Sequence, residues 1–176
     1  MKKMQKNRIT RKTPVREILR LAEINCRDCS HCCTYGAGYV LKQEVSKIAK
    51  KMNISKEEFI QKYLDEHTRF NTTHYSFKLI REKGKPYGRC IFLGKNKCKI
   101  HNIKPLHCRV GTCKTHGEDI SIWFTLNHFV NENDPESVRQ WAQFLKFQET
   151  IPGGELKDLV RNSDKLRKIL SYERLK

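Results

Sequence analysis

The sequence predicts an α+β domain, mostly helical, with a small β-hairpin and two metal-binding cysteine loops. Three observations carry this. Apolar residues recur at helical spacing on both sides of the chain's centre, one central passage alternates around turn residues, and eight cysteines gather in two stretches. At 176 residues the chain has the length of one ordinary domain, able to bury a core without disulfides. Residues 1–12 read as a basic flexible arm and residues 13–176 as the cysteine-cluster domain with its C-terminal helices.

The elements follow in order. "TPVREILRLAEIN" sets Val15, Ile18, Leu19 and Ala22 at helical spacing behind Pro14, so a short helix delivers the chain to Cys26. "YGAGYV" is turn-rich, and its lone Gly-x-Gly reads as a turn between elements rather than a nucleotide loop. "LKQEVSKIAKKMN" repeats apolar residues at Leu41, Val45, Ile48, Ala49 and Met52; "SKEEFIQKYLDE" opens with Ser55 three residues before Glu58, a capping box. Two amphipathic helices joined by a tight turn are expected there. The period then changes: Tyr75, Phe77 and Leu79 alternate, "EKGKPYG" is turn chemistry, and "RCIFL" reads as the returning strand of a hairpin. "ISIWFTLNHFV" fits a buried strand or a buried helix equally well. "DPESVRQWAQFLKF" and "ELKDLVRNSDKLRKILSYERL" read as helices separated by the breaker "IPGG", with Trp123, Phe124, Trp141, Phe144 and Phe147 as core.

Composition excludes several classes. The start "MKKMQKNRITRKTPVREILR" has no apolar run of a secretory signal, and the longest apolar runs fall far short of the ~20 residues that cross a bilayer. The reading is a cytoplasmic protein without membrane association, where thiols stay reduced and clustered cysteines mean metal. With 36 Lys and Arg against 19 Asp and Glu, the net charge is +17. Its densest part is 78–109, where Lys78, Arg81, Lys83, Lys85, Arg89, Lys95, Lys97, Lys99, Lys104 and Arg109 face only Glu82. Such a surface suits an acidic macromolecule, either RNA or a protein complex, and no aromatic readout is evident in the sequence.

The stretch "CRDCSHCC" carries Cys26, Cys29, Cys32 and Cys33. A Cys-x-x-Cys pair suits one metal, because a turn brings both thiolates to ~2.3 Å and leaves backbone N–H groups for the sulfurs. Cys26 and Cys29 meet that demand. Adjacent side chains such as Cys32 and Cys33 generally diverge, which implies two centres, a multinuclear cluster, or a spectator thiol. Ferredoxin spacing is broken because Cys33 follows Cys32 at once, and no His pair of a C2H2 finger follows. Downstream, "GRCIFLGKNKCKIHNIKPLHCRVGTC" adds Cys90, Cys98, Cys108 and Cys113, and His31, His101, His107 and His116 lie near enough in sequence to be considered as ligands or hydrogen-bonding neighbours.

Together these motifs, spread over about residues 20 to 112, resemble the YkgJ-type CxxCxxCC cysteine-cluster family, and the resemblance implies a zinc- or iron-chelating domain. Cys26, Cys29, Cys32, Cys33, Cys90, Cys98 and Cys108 match family cysteines, and Gly88, Phe92, Leu93, Ile100, Pro105 and Arg109 match flanking positions. The chain departs from the pattern at His101, at Lys104, where the family has Arg before Pro, and at Cys113, an additional thiol. From this follow an iron–sulfur cluster, slightly preferred, or Zn2+, with Arg109 expected against the cysteines and Pro105 expected to set a turn. Function divides three ways: an accessory or assembly module with a basic partner-binding surface, a metal or cluster carrier or redox protein, or a lysine N-methylase-like enzyme. The last follows from likeness alone, since flagellin lysine N-methylases contain related domains, and no glycine-rich nucleotide loop accompanies it.

Overall fold

A computed structural model describes residues 9–22, 30–95, 97–113 and 115–173. In chain order it runs α1 (Val15–Ala22), α2 (His31–Tyr35), β1 (Tyr39–Val40), α3 (Lys42–Lys51), α4 (Lys56–Tyr63), β2 (Leu64–Arg69), β3 (Thr72–Phe77), β4 (Leu79–Ile80) and β5 (Arg89–Cys90). A 3-10 turn at His101–Ile103 leads to α5 (Leu106–Val110), α6 (Gly117–His128), α7 (Pro135–Phe144), α8 (Leu156–Leu159) and α9 (Ser163–Leu170). The architecture is thus mixed, helices with two small sheets. None of the described helices is long and apolar enough to cross a membrane. The chain forms two compact units: Met1–Ala22 with Phe70–Thr72 and Thr112–Lys176, and Glu23–Arg69 with Thr73–Gly111.

The second unit holds most of the cysteines. Its three-stranded sheet has the order β1-β3-β2, with Tyr39 opposite Ser76 and Val40 opposite Tyr75 in an antiparallel pair. β4 and β5 form the expected hairpin, shorter than the sequence suggests, with Leu79 opposite Cys90 and Ile80 opposite Arg89. Gly88 allows that pairing: a Cβ there would sit 2.5 Å from the Ile80 carbonyl oxygen. The helices α3 and α4 meet through a turn in which Asn53 takes φ 56°, a left-handed value Asn tolerates. The Ser55 hydroxyl accepts from Glu58 N–H at 3.0 Å, the cap its sequence announces. Val45, Ile48, Phe59, Phe77, Phe92 and Ile100 build one core, and Tyr63 stacks on Phe92 with ring centroids 4.9 Å apart.

Phe147, expected in the core, is 89% exposed because α7 ends before it at Phe144, and one element departs from the sequence reading. Helix α4 ends at Tyr63, and Leu64, Asp65 and Glu66 begin a strand. The chain reverses between β2 and β3 at Phe70 and Asn71, with φ 51° and 52°, the pair of positive values a type I′ turn requires. No glycine marks this turn, and Asp and Glu are poor strand formers, so helical periodicity concealed it.

The first unit is helical. The ambiguous segment is helix α6, buried on several sides through Ile120, Ile122, Trp123, Phe124 and Leu126, which explains why its apolar pattern lacks a period. The indole N–H groups are satisfied: Trp123 donates to Thr13 O at 2.9 Å and Trp141 to Gly154 O at 2.8 Å. Asp134 caps α7 by accepting from Glu136 N–H at 3.0 Å with Pro135 in the first turn. Of the arm expected at 1–12, Ile9 is buried and Arg11 pairs with Glu132 at 2.8 Å, so at least the 9–11 portion packs on this unit.

Candidate metal centre

Cys26 and Cys29 lie outside the described residues. Cys32 and Cys33 ride on α2, Cys90 ends β5, Cys98 faces Leu93 across an isolated bridge, and Cys108 sits in α5. These supports are largely regular structure rather than the two loops the sequence suggests. The helix α2 packs against β5 of the two-stranded sheet, and α5 packs against β1 of the three-stranded sheet. Cys113 is exposed and belongs to the other compact unit.

The adjacent pair does not diverge at the sulfurs. Cys32 Sγ and Cys33 Sγ stand 3.9 Å apart. Two ligands ~2.3 Å from one tetrahedral ion have sulfurs about 3.8 Å apart, so this pair has the spacing of a tetrahedral edge. Among the described residues, no three His, Cys, Asp or Glu side chains converge tightly enough to hold a metal ion.

The electrostatics tie five thiols together. The hydrogen bond between the Cys32 and Cys33 sulfurs, helped by backbone N–H groups and by Lys104, lowers Cys32 to about 6 against the opposing effect of burial. Cys33 is pushed up by that hydrogen bond, by burial, and by the neighbouring Cys32, Cys108 and Cys90. Burial pushes Cys108 up, with Cys90, Cys98 and Cys32 adding like charge and Lys104 opposing. Burial also raises Cys90, while backbone hydrogen bonds from Phe92 and Leu93 favour its thiolate. Thiolates this close repel one another unless a cation joins them, and a bound metal deprotonates its thiols outright. Soft sulfur donors in excess of three, backbone N–H groups at one sulfur and a tetrahedral-edge spacing fit a zinc ion or an iron–sulfur centre.

Two residues that sequence reasoning passed over, and Lys104, which it named only as a departure from the family pattern, complete the setting. Gly38, in the turn-rich passage before β1, lies against Cys108: a Cβ there would overlap the Cys108 sulfur, well inside the 3.0 Å that real Cβ atoms keep. Glu44, in the first turn of α3, accepts from Leu41 N–H at 3.0 Å and from Leu106 N–H at 2.8 Å. Its carboxylate therefore joins the start of α3 to the start of the cysteine-bearing α5. Lys104 supplies the positive charge felt at Cys32 and Cys108. The signals were faint: a Gly-x-Gly, an acidic residue in a first helical turn, and a basic residue before Pro105.

A profile of the CxxCxxCC family, described as "Putative zinc- or iron-chelating domain", matches residues 25–135. The chain belongs to this family. It is also similar to a protein from Methanocaldococcus jannaschii, "Uncharacterized protein MJ0661", at 35% identity over 88 residues, 49% of this chain and 42% of that protein. The chain therefore spans less than half the length of this relative. No solved structure matches.

The positions that carry the CxxCxxCC resemblance have distinct structural duties. Phe92, Leu93 and Ile100 are core, and Pro105, at φ −65°, opens α5. Arg109 is exposed, against the expectation that it packs on the cysteines; on the short α5 it follows Cys108 directly and so points elsewhere. Of the histidines considered, His107 meets Tyr39 edge-on at 5.1 Å and His31 packs on Tyr35 at 5.2 Å, while His116 lies in the other unit.

Proposed function

We propose that the unit Glu23–Arg69 with Thr73–Gly111 is a thiolate module that carries an iron–sulfur cluster and serves, in a reducing cytoplasm, as an accessory or assembly module with a basic partner-binding surface. The observation that carries the metal reading is the mutual influence of Cys32, Cys33, Cys90, Cys98 and Cys108, one of them seated on Gly38. These thiols, with Cys26 and Cys29 of the same motif, outnumber the four that one tetrahedral zinc takes, which supports a multinuclear centre. The bound metal would cross-link α2, β5 and α5, so its chemistry here is first that of a structural clamp, worth on the order of 10 kcal/mol where a fold depends on it. The lysines and arginines of 78–109 then supply the surface for an acidic partner.

Anaerobic purification followed by metal and sulfide analysis tests this. A brown protein absorbing near about 400 nm, with iron and inorganic sulfide, is the expected result. Stoichiometric zinc without colour would replace the cluster with a zinc site, and metal-free protein that folds and melts normally would end the metal reading.

A further inference from the structure

An exposed aromatic row crosses from α2 to the hairpin β4–β5. The His31 and Tyr35 rings lie 5.2 Å apart and tilted at 60°, and Tyr35 meets Tyr87 edge-on at 5.8 Å. Tyr35 and Tyr87 remain 56% and 46% exposed. The hairpin that carries Tyr87 is basic. Arg81, Lys83, Lys85 and Arg89 are all exposed on the same hairpin, Lys85 Nζ lies 6.0 Å from the Tyr87 ring centre, and Glu82, paired with Lys85, is the only acidic residue between 78 and 109. In sequence the tyrosines are far apart, and only the packing of α2 on β5 lines them up.

Exposed aromatic rings beside a basic hairpin match one kind of polymer. A base stacks on a tyrosine face, its phosphate lies within reach of a lysine or arginine, and a duplex cannot do this because its base faces are covered. RNA presents such unpaired bases in its loops and ends. We propose that the Tyr35–Tyr87 row and its basic hairpin bind single-stranded RNA. The inference rests on the accessory-module reading only in naming its partner; it does not require a particular metal. Stacking carries no base code, so binding is tolerant of sequence.

The test is anisotropy of a labelled mixed-sequence RNA strand with the protein as purified, with metal content measured in the same samples. The strand should bind, and the duplex it forms with its complementary strand should bind on the order of 10-fold more weakly. Tyr35→Leu and Tyr87→Leu keep apolar bulk without a π face and should each weaken binding on the order of 10-fold, while Tyr35→Phe retains it. Arg81→Ala or Lys83→Ala should lower the log–log salt slope by about 0.7 each. Three results overturn the proposal: no binding at low salt, equal affinity for the duplex, or leucine variants that bind as wild type while the lysine and arginine variants weaken. The last would reassign the face to an acidic protein. Lost RNA binding at full metal content counts against this proposal alone; lost metal with RNA binding intact counts against the cluster alone.

Discussion

Gly38→Ala isolates the contact on which Cys108 depends. Gly38 is not among the described residues with positive φ, so alanine meets no backbone strain there and the cost is steric. The new methyl would overlap the Cys108 sulfur, and either β1 or α5 must shift to relieve it. Overpacking of this kind costs about 1–3 kcal/mol, and the stiffer unfolded chain returns about 0.4–1 kcal/mol, leaving a loss of about 1–2 kcal/mol. For a chain of this size that lowers Tm by about 2–8 °C, and a displaced thiol also forfeits the stabilisation that metal gives the folded state. Gly36→Ala is the internal control. Its Cβ would meet only the Cys32 carbonyl oxygen at 3.6 Å, an ordinary contact, and its backbone is extended. Differential scanning calorimetry and metal analysis on both variants give the comparison. A Gly38→Ala protein that melts with Gly36→Ala and carries full metal would falsify the placement of Cys108 against this backbone.

Other outcomes follow from the same geometry. Cys98→Ser and Cys108→Ser should lose metal and stability, whereas Cys113→Ser, exposed and in the other unit, should retain both; full metal occupancy in the first two contradicts the site. Glu44→Ala strands the Leu41 and Leu106 N–H groups and should cost about 1–3 kcal/mol, with Glu44→Gln costing less because one acceptor oxygen remains; equal urea midpoints for both variants and wild type would refute the strap. His128 is held below its ordinary value of 6.5 by burial, and among the described residues its Nε2, beside the rings of Trp123 and Phe124, has no hydrogen-bond partner. The unfolded chain therefore takes up this proton first, so stability is full above the ordinary value and falls as pH drops below it. The variant His128→Gln should flatten that fall when urea midpoints are compared from about pH 7.5 to 5.5; parallel curves would show that His128 does not titrate on unfolding.

Local chemistry determined much of this protein. Ser55 announced the start of α4, Pro135 marked the first turn of α7, and the apolar spacing of Val45 and Ile48 placed α3 against a core, because caps and periodicity act within one or two turns of chain. The cysteine pattern with its flanking residues likewise carried the resemblance to the CxxCxxCC family. What only the tertiary structure decided was proximity across long stretches of sequence. The type I′ turn at Phe70–Asn71 turned a helical-looking segment into strand β2, and the packing of α2 on β5 and of α5 on β1 brought Cys32 within electrostatic reach of Cys90 and Cys108. Gly38 and Glu44 left only faint local signals and the Tyr35–Tyr87 row none, since a glycine beneath a sulfur, a carboxylate reaching a second helix start and a ring meeting a distant ring exist only once separate segments meet. Non-local packing sets those positions, and a local pattern carries no record of it.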